Sequence, residues 1–374
     1  MNFEKFVAKR LHSESNVQHS ISKPILKMAI AAVSLSITVM ILSIATSKGL
    51  QEKISAKVTG FTSDIQVRKL DLNQSMELSS LEVDSSLINR LSAIDGVSHL
   101  QMQITKNALL KTETDFEGIL VKGVDANYNW DFITEHLVEG ELPNFNSTKK
   151  SNEIAISKSL SAKLQLQIND QAFVYFQGLK NNNALIRKFT VKAIYETGIE
   201  FFDDVYIFAD SRHLQKINNW NSNQCSSLEL LLSENANKEQ VYIEVERKSP
   251  YDTSISSAKE LYPQIFDWIN LFDLNTLVIL LIMILVASIN MISSLLIIIL
   301  ERTKMIGLLK SLGAHNYSIR KIFLYHAFYL LRRGLLIGNG IGLVLIGIQY
   351  YFELIQLDPK HYYVKALPVS LSLE

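Results

Sequence analysis

Glu200, Asp203 and Asp204 form a carboxylate cluster, and Cys225 is the single thiol of this 374-residue chain. Grouped carboxylates can move protons, and a thiolate can attack an electrophile. Neither set is expected to do so here. The carboxylates fall between two strand-like runs, where such a cluster reads as a solvated turn. Cys225 has no His or basic neighbour in the sequence to lower its pKa. One cysteine also excludes an internal disulfide and any multi-Cys metal cluster. The eight His are scattered with no partner at metal-ligand spacing. There is no G-x-x-x-x-G-K-[ST] phosphate loop, no H-E-x-x-H and no G-x-S-x-G, so the chain is not expected to bind ATP itself or to be an enzyme. Asn73-Gln-Ser and Asn146-Ser-Thr match glycosylation sequons, which matter only in a eukaryotic secretory route.

With chemistry disfavoured, the elements themselves become informative. The chain has 37 Lys+Arg, 37 Asp+Glu and 48% hydrophobic residues. A formal charge of zero argues against a basic nucleic-acid-binding face. The apolar residues are bunched. Residues 28–47 and 274–300 are free of charge, and residues 334–352 give a third uncharged run. A membrane-spanning helix needs about 20 apolar residues, so three spans are expected. The first has a long charged leader and no small-residue cleavage site after it, so it reads as a retained signal anchor. Residues 1–27 and 301–333 together hold 12 basic and 3 acidic residues, whereas 48–273 hold 23 basic and 31 acidic. The positive-inside bias places the two basic flanks in the cytoplasm and 48–273 outside, leaving 353–374 outside as a short tail.

MNFEKFVAKRLH places Phe3, Phe6, Val7 and Leu11 on one helical face among Lys5, Lys9 and Arg10, the pattern of a helix lying in the membrane interface. In 301–333, Met305, Leu308, Leu309 and Leu312 recur at helical spacing until Gly313-Ala314 breaks the pattern. A short amphipathic helix of this kind suits docking into a partner's groove, and the residues alone fit an ordinary cytoplasmic loop equally well. An amphipathic stretch from Ile319 to Leu331 follows, with Phe323, Tyr325, Phe328 and Tyr329, aromatics favoured at the interface, and Arg332-Arg333 beside them. Gly334, Gly338 and Gly342 repeat every four residues and would let another helix approach closely.

The 226 residues of 48–273 suffice for one large or two small domains. Leu50 to Val58 reads as a continuation of the first helix. Beyond it, strands are expected at 64–67, 101–110, 118–124, 172–176, 189–195, 205–208, 227–232 and 240–245, with helices at 85–93, 158–166 and 211–217. The fold class is therefore a membrane protein with α-helical transmembrane segments and a large α+β extracytoplasmic domain. Gly178, Leu179, Lys180 and Asn181 open a turn cluster through Asn183, which fits either an ordinary surface turn or a protruding hairpin.

At this point the chain resembles LolC/LolE-type permease subunits, the lipoprotein-releasing branch of the FtsX/MacB-like ABC transporter superfamily. The likeness runs through Phe6-Val-Ala-Lys-Arg10, Ile21-Ser-Lys-Pro24, Val39-Met-Ile-Leu-Ser-Ile44 and Gly60-Phe61. It continues at Glu153-Ile-Ala-Ile-Ser-Lys158, Asn169-Asp170, Phe189-Thr-Val191 and Glu196-Thr-Gly198. It is most specific at Glu301-Arg-Thr-Lys-Met-Ile-Gly-Leu-Leu-Lys-Ser-Leu-Gly-Ala314 and Ile319-Arg-Lys-Ile-Phe323. The resemblance implies an inner-membrane subunit with no cofactor of its own, paired with a second permease subunit and a separate cytoplasmic ABC ATPase that binds ATP. It makes Glu301, Arg302, Lys304, Met305, Gly307, Leu308, Lys310, Gly313 and Ala314 the coupling-helix candidates. It implies a MacB-like outer domain of two subdomains that transmits force, with an acylated lipoprotein as substrate and a periplasmic carrier as recipient. The Gly178–Asn181 hairpin falls where one subunit type carries a carrier-binding hook, although here the loop is polar and short. The family has four spans, and the present sequence stops at Leu371-Ser-Leu-Glu374, where the fourth is expected to begin. Two alternatives stay open: an FtsX-like regulator of a periplasmic cell-wall hydrolase, and a non-functional truncated paralogue.

Overall fold

Residues 97–111 alternate in burial along a strand, while residues around 274–300 are apolar on every side; one chain thus holds elements built for two solvents. The computed structural model describes residues 4, 6, 7, 22–71, 79–112, 115–146, 149–178 and 184–370. It divides into a sheet unit, Ile54–Phe266 with Leu357–Lys365, and a helical unit, Met1–Lys53 with Asp267–Gln356 and Ala366–Glu374.

The sheet unit is built on β1 (Ile65–Lys69), β3 (Val97–Lys111), β4 (Phe116–Val124), β5 (Leu137–Gly140), β6 (Glu153–Ser157), β7 (Gln171–Gln177), β8 (Ala184–Tyr195), β9 (Tyr206–Asp210), β11 (Ser227–Leu232) and β12 (Thr253–Ser257). Their order is β12-β1-β11-β3-β4-β9-β6-β8-β5, and β7 bridges β3 and β8. The pairings from β3 through β4, β9, β6, β8 and β7 therefore close on themselves. Most are antiparallel, with parallel pairs at β4–β9 and β6–β8. A separate two-stranded piece joins β2 (Leu81–Glu82) to β10 (Gln224–Cys225). Helices α2 (Ser85–Ser92), α3 (Asp131–Glu135), α4 (Lys158–Leu164), α5 (Glu200–Asp203), α6 (Ser211–Asn218) and α7 (Lys238–Lys248) lie between the strands in sequence, and α8 (Ala258–Leu261) follows β12. Their starts are chemically marked: Asp84, Ser157, Asp210, Asn237 and Ser257 each accept a backbone N–H of the first turn. The core is continuous and mainly aliphatic, with Leu110, Val121, Ile154, Ile156, Val174, Val191, Ile207 and Leu228 buried beside Phe176 and Phe189.

One expected strand is a helix. Residues 240–245 lie inside α7, where Val241 and Val245, four apart, are buried and Ile243 is exposed. The β-branched content suggested a strand, but the spacing of the two valines and the Asn237 cap decide for the helix.

Among the described residues three helices are long and apolar enough to cross a membrane, and most of their length belongs to the helical unit. Residues 28–47 lie within α1 (Ser22–Thr62), 274–300 within α9 (Pro263–Glu301), and 334–352 within α11 (Asn316–Phe352). At 1.5 Å per residue these 37- to 41-residue helices run about 55–60 Å, well beyond a hydrocarbon core of about 30 Å. The expected interfacial stretch Ile319–Leu331 is continuous with the third apolar run rather than a separate helix. Between α9 and α11 sits α10 (Thr303–Ser311), and a short helix, α12 (Pro359–Tyr362), lies near the C-terminus. Of the expected N-terminal amphipathic helix, Glu4, Phe6 and Val7 are helical; its other residues lie outside the described ones.

Candidate functional site

The sequence points first to α10, and its ends have physical causes. Gly313 follows the helix with φ +91°. Its N–H donates to Lys310 O (3.0 Å), and the Ala314 N–H donates to Leu309 O (3.0 Å). This is the paired closure of a Schellman turn, and it needs a residue that tolerates the left-handed region. No residue of α10 is fully buried. Met305, Ile306 and Ala314 pack against the apolar cluster formed by Val33, Met291, Ile298, Ile319, Phe323, Ala327 and Leu330. The opposite face presents Lys304, Gly307, Leu308 and Lys310. Leu308 and Leu312 are 62% and 77% exposed, and a Cβ added at Gly307 or Gly313 would meet nothing within 4 Å. Glu301 ends α9 and Arg302 leads into α10. The nine candidates thus divide: Met305 and Ala314 anchor the helix, while Lys304, Gly307, Leu308 and Lys310 face outward.

Gly334, Gly338 and Gly342 are buried in α11 against α1. A Cβ at Gly334 would lie 2.6 Å from Val33 Cγ1, and one at Gly338 would lie 2.6 Å from Ser34 O. At Gly342 the nearest atoms, on Ile41, are 3.4 Å away. The close approach lets side-chain hydroxyls reach across: Ser34 Oγ lies 3.1 Å from Gly334 O, and Thr38 Oγ1 lies 3.0 Å from Gly338 O. Small residues plus hydroxyl–carbonyl bonds are how helices associate where lipid supplies no hydrophobic drive. Of the hairpin candidates Gly178 follows the end of β7; Leu179, Lys180 and Asn181 lie outside the described residues.

The carboxylate cluster is not a simple solvated turn. Asp203 is buried, and its carboxylate accepts from Thr197 N (3.1 Å), Thr197 Oγ1 (2.8 Å) and Gly198 N (2.9 Å). Burial nevertheless raises its pKa above the ordinary carboxylate value, against those hydrogen bonds. Its task is to lock the Glu196–Ile199 turn, where Gly198 adopts φ +75°. Asp204 instead meets Lys163 at 2.9 Å. Cys225 is buried, and burial pushes its thiol up to about 12, so it stays protonated at neutral pH. Among the described residues no group of three or more His, Cys, Asp or Glu could hold a metal ion.

Sequence reasoning missed a buried polar cluster at the end of α1. Phe61 stacks on Phe202 with ring centroids 4.5 Å apart, and it meets Tyr206 and Phe208 edge-on at 5.2 and 5.6 Å. Beneath it, Lys122 Nζ donates to Phe61 O (2.9 Å) and lies 3.0 Å from Glu229 Oε1. Both charged side chains are almost wholly buried. Gln66 and Gln101 complete the group, donating to Glu229 at 3.3 and 2.8 Å. The signal was present as aligned polar residues on adjacent strands, with Gln66 opposite Glu229 and Glu229 opposite Gln101, but pairing cannot be read before register is known.

Comparison with known proteins supplies the family. The model of the MacB-like periplasmic core domain matches residues 28–248, and that of the FtsX-like permease C-terminal region matches residues 277–372. A protein described as an uncharacterized membrane protein, from Buchnera aphidicola subsp. Schizaphis graminum (strain Sg), is 24% identical over 376 residues, covering 97% of this chain and 86% of its own. The extracellular domain of the noncanonic ABC-type transporter YknZ from Gram-positive bacteria is similar over 52% of this chain and 99% of its own, at 13% identity and TM-score 0.37. The periplasmic region of MacB from Actinobacillus actinomycetemcomitans is similar over 57% of this chain and 97% of its own, at 14% identity and TM-score 0.38. The first family model alone spans more than half of the chain, and the second runs from within α9 to residue 372. This chain belongs to the family with a MacB-like periplasmic core domain and is an ABC transporter permease of the FtsX/MacB type.

Proposed function

We propose that this chain is the force-transmitting permease subunit of a transporter that extracts lipoproteins from the outer leaflet of the inner membrane. FtsX/MacB family permeases work with a cytoplasmic ATPase. In this reading α10 is the coupling helix that receives the ATPase's closing motion, through Lys304, Gly307, Leu308 and Lys310. The observation that carries it is the exposed apolar and cationic face of α10, held by Met305 and closed by Gly313. An apolar leucine on a short, rigid, outward-facing helix suits insertion into a partner's groove. The excess of basic residues in 1–27 and 301–333 supports a cytoplasmic N-terminus and α10, with the sheet domain on the opposite, periplasmic side. A second permease subunit, identical or different, and a periplasmic lipoprotein carrier complete the assembly, with the hairpin at Gly178 as the candidate carrier contact.

Photocrosslinking from exposed positions of the sheet domain, such as Phe116 or Ile186, tests the substrate. Capture of an acylated lipoprotein or of its soluble carrier supports extraction. Capture of a cell-wall hydrolase instead would move the protein to an FtsX-like regulatory role, which the family likeness accommodates equally.

A further inference from the structure

Helix α1 is one uninterrupted element from Ser22 to Thr62, and its last turn ends inside the sheet unit. A helix end leaves its final carbonyls without intrahelical partners, and burial makes that costly. Here Ser63, at φ +74°, turns the chain, and its N–H returns to Thr59 O at 2.7 Å. The Phe61 and Thr62 carbonyls are instead served by side chains of the sheet. Lys122 from β4 donates to Phe61 O at 2.9 Å, and Gln66 from β1 donates to Thr62 O at 2.7 Å. A cation at the negative end of the helix dipole is the favourable sign. Glu229 from β11 supplies the counter-charge, itself held by Gln101 from β3. Four adjacent strands thus contribute to holding two carbonyls. Arg68 extends the network by donating to Gln66 Oε1 through Nε and Nη2, at 3.1 and 2.6 Å.

A fully buried ion pair is a poor way to gain stability, since well-packed apolar replacements are often as stable or more so. Its attested use is to fix register, because a buried charge must hydrogen-bond to particular partners at particular positions. The aromatic cluster around Phe61 fixes the helix end by shape alone. The Lys122 bond adds a tie to one particular carbonyl. We infer that Lys122 is a positioning residue: with Glu229 as its counter-charge, it clamps the C-terminal carbonyls of α1 to the sheet so that motion of this helix moves the sheet domain without slip. The inference deepens the force-transmission reading above and rests on it for its consequence, not for its geometry.

The test uses the full chain in lipid nanodiscs and compares the wild type with Lys122→Met and with the double variant Lys122→Met/Glu229→Leu. The single variant strands a buried carboxylate and lowers the unfolding midpoint. The double variant removes both charges and recovers most of that loss. If the pair is a clamp, amide exchange of residues 59–65 in the double variant stays at least ten-fold faster than in the wild type. Amides of β6 keep wild-type protection, and the double variant fails to complement a deletion strain despite its restored midpoint. Wild-type exchange at 59–65 in the double variant would overturn the clamp. Fast exchange with full complementation would overturn its role in transmission. The exchange readout needs no substrate, so failure of the transport reading and failure of the clamp give different results.

Discussion

The two units of this chain place their large apolar side chains on opposite sides of their surfaces. In the sheet unit Tyr195, Phe189, Phe202 and Phe208 are wholly buried. In the helical unit Leu281, Ile292 and Leu336 are 58%, 65% and 66% exposed. The first unit is built against water and uses its buried polar groups to fix direction at Lys122, Glu229 and Asp203. The second is built against lipid, and its internal contacts depend on what is missing: the side chains of Gly334 and Gly338. Removing an apolar side chain should therefore be severe in one unit and mild in the other. Adding one should reverse the ranking.

The largest expected effect is Phe61→Ala, which empties the centre of the aromatic cluster and should cost about 3–5 kcal/mol. Cys225 gives a built-in readout, because its buried thiol is held at about 12 and should resist alkylation at pH 8 until the sheet unit opens. Alkylation of Phe61→Ala should occur at clearly lower denaturant than in the wild type. Leu285→Ala, on the exposed face of α9, should stay within about 0.5 kcal/mol in the same assay. Equal losses at both positions would break the comparison.

Next comes Gly338→Leu, whose first added carbon already meets the Ser34 backbone. A cost of about 1–3 kcal/mol is expected, seen as earlier thermal aggregation of the chain in nanodiscs. Gly347→Leu is the control: an added Cβ there meets nothing within 4 Å, and it should behave as wild type.

The smallest effect concerns acid stability of the sheet unit. Burial pushes the Asp210 carboxyl up, but hydrogen bonds from the Arg212 side chain, Ser151 N–H and Arg212 N–H outweigh it and hold the group below the ordinary value of 3.8. A depressed folded pKa stabilises above the unfolded value and loses that contribution as pH falls through the folded value. Asp210→Asn keeps an acceptor for the α6 cap, so the change should appear mainly as a shallower fall of the unfolding midpoint below about pH 4. An unchanged acid slope would show that Asp210 is not the group that titrates.

These contrasts also explain what could be read in advance. Uncharged runs and glycine spacing are local signals, so the apolar segments and the Gly334–Gly342 repeat were visible in the sequence. The surface that the glycines meet was not, because nothing near Ser34 or Thr38 marks them as partners of residues 300 positions away. Alternation likewise marked β3, β4 and β11 but misled at 240–245, where two valines four apart outweighed β-propensity. Lys122, Glu229, Gln66 and Gln101 each read as an ordinary polar strand position, and only pairing of four strands gathers them beneath Phe61. Asp203 was legible as part of a cluster, yet its burial depends on the fold of the Thr197–Gly198 turn.

The proposed role of α10 is to be the surface through which a partner ATPase drives this permease. Affinity purification of the full chain from its native membrane, side by side with Leu308→Glu, tests it most directly. The wild type should bring down an ABC ATPase in near-equal amount. Leu308→Glu should lose it while retaining the wild-type melting behaviour, since Leu308 is 62% exposed and supports no core. Equal ATPase recovery with both chains would contradict the account.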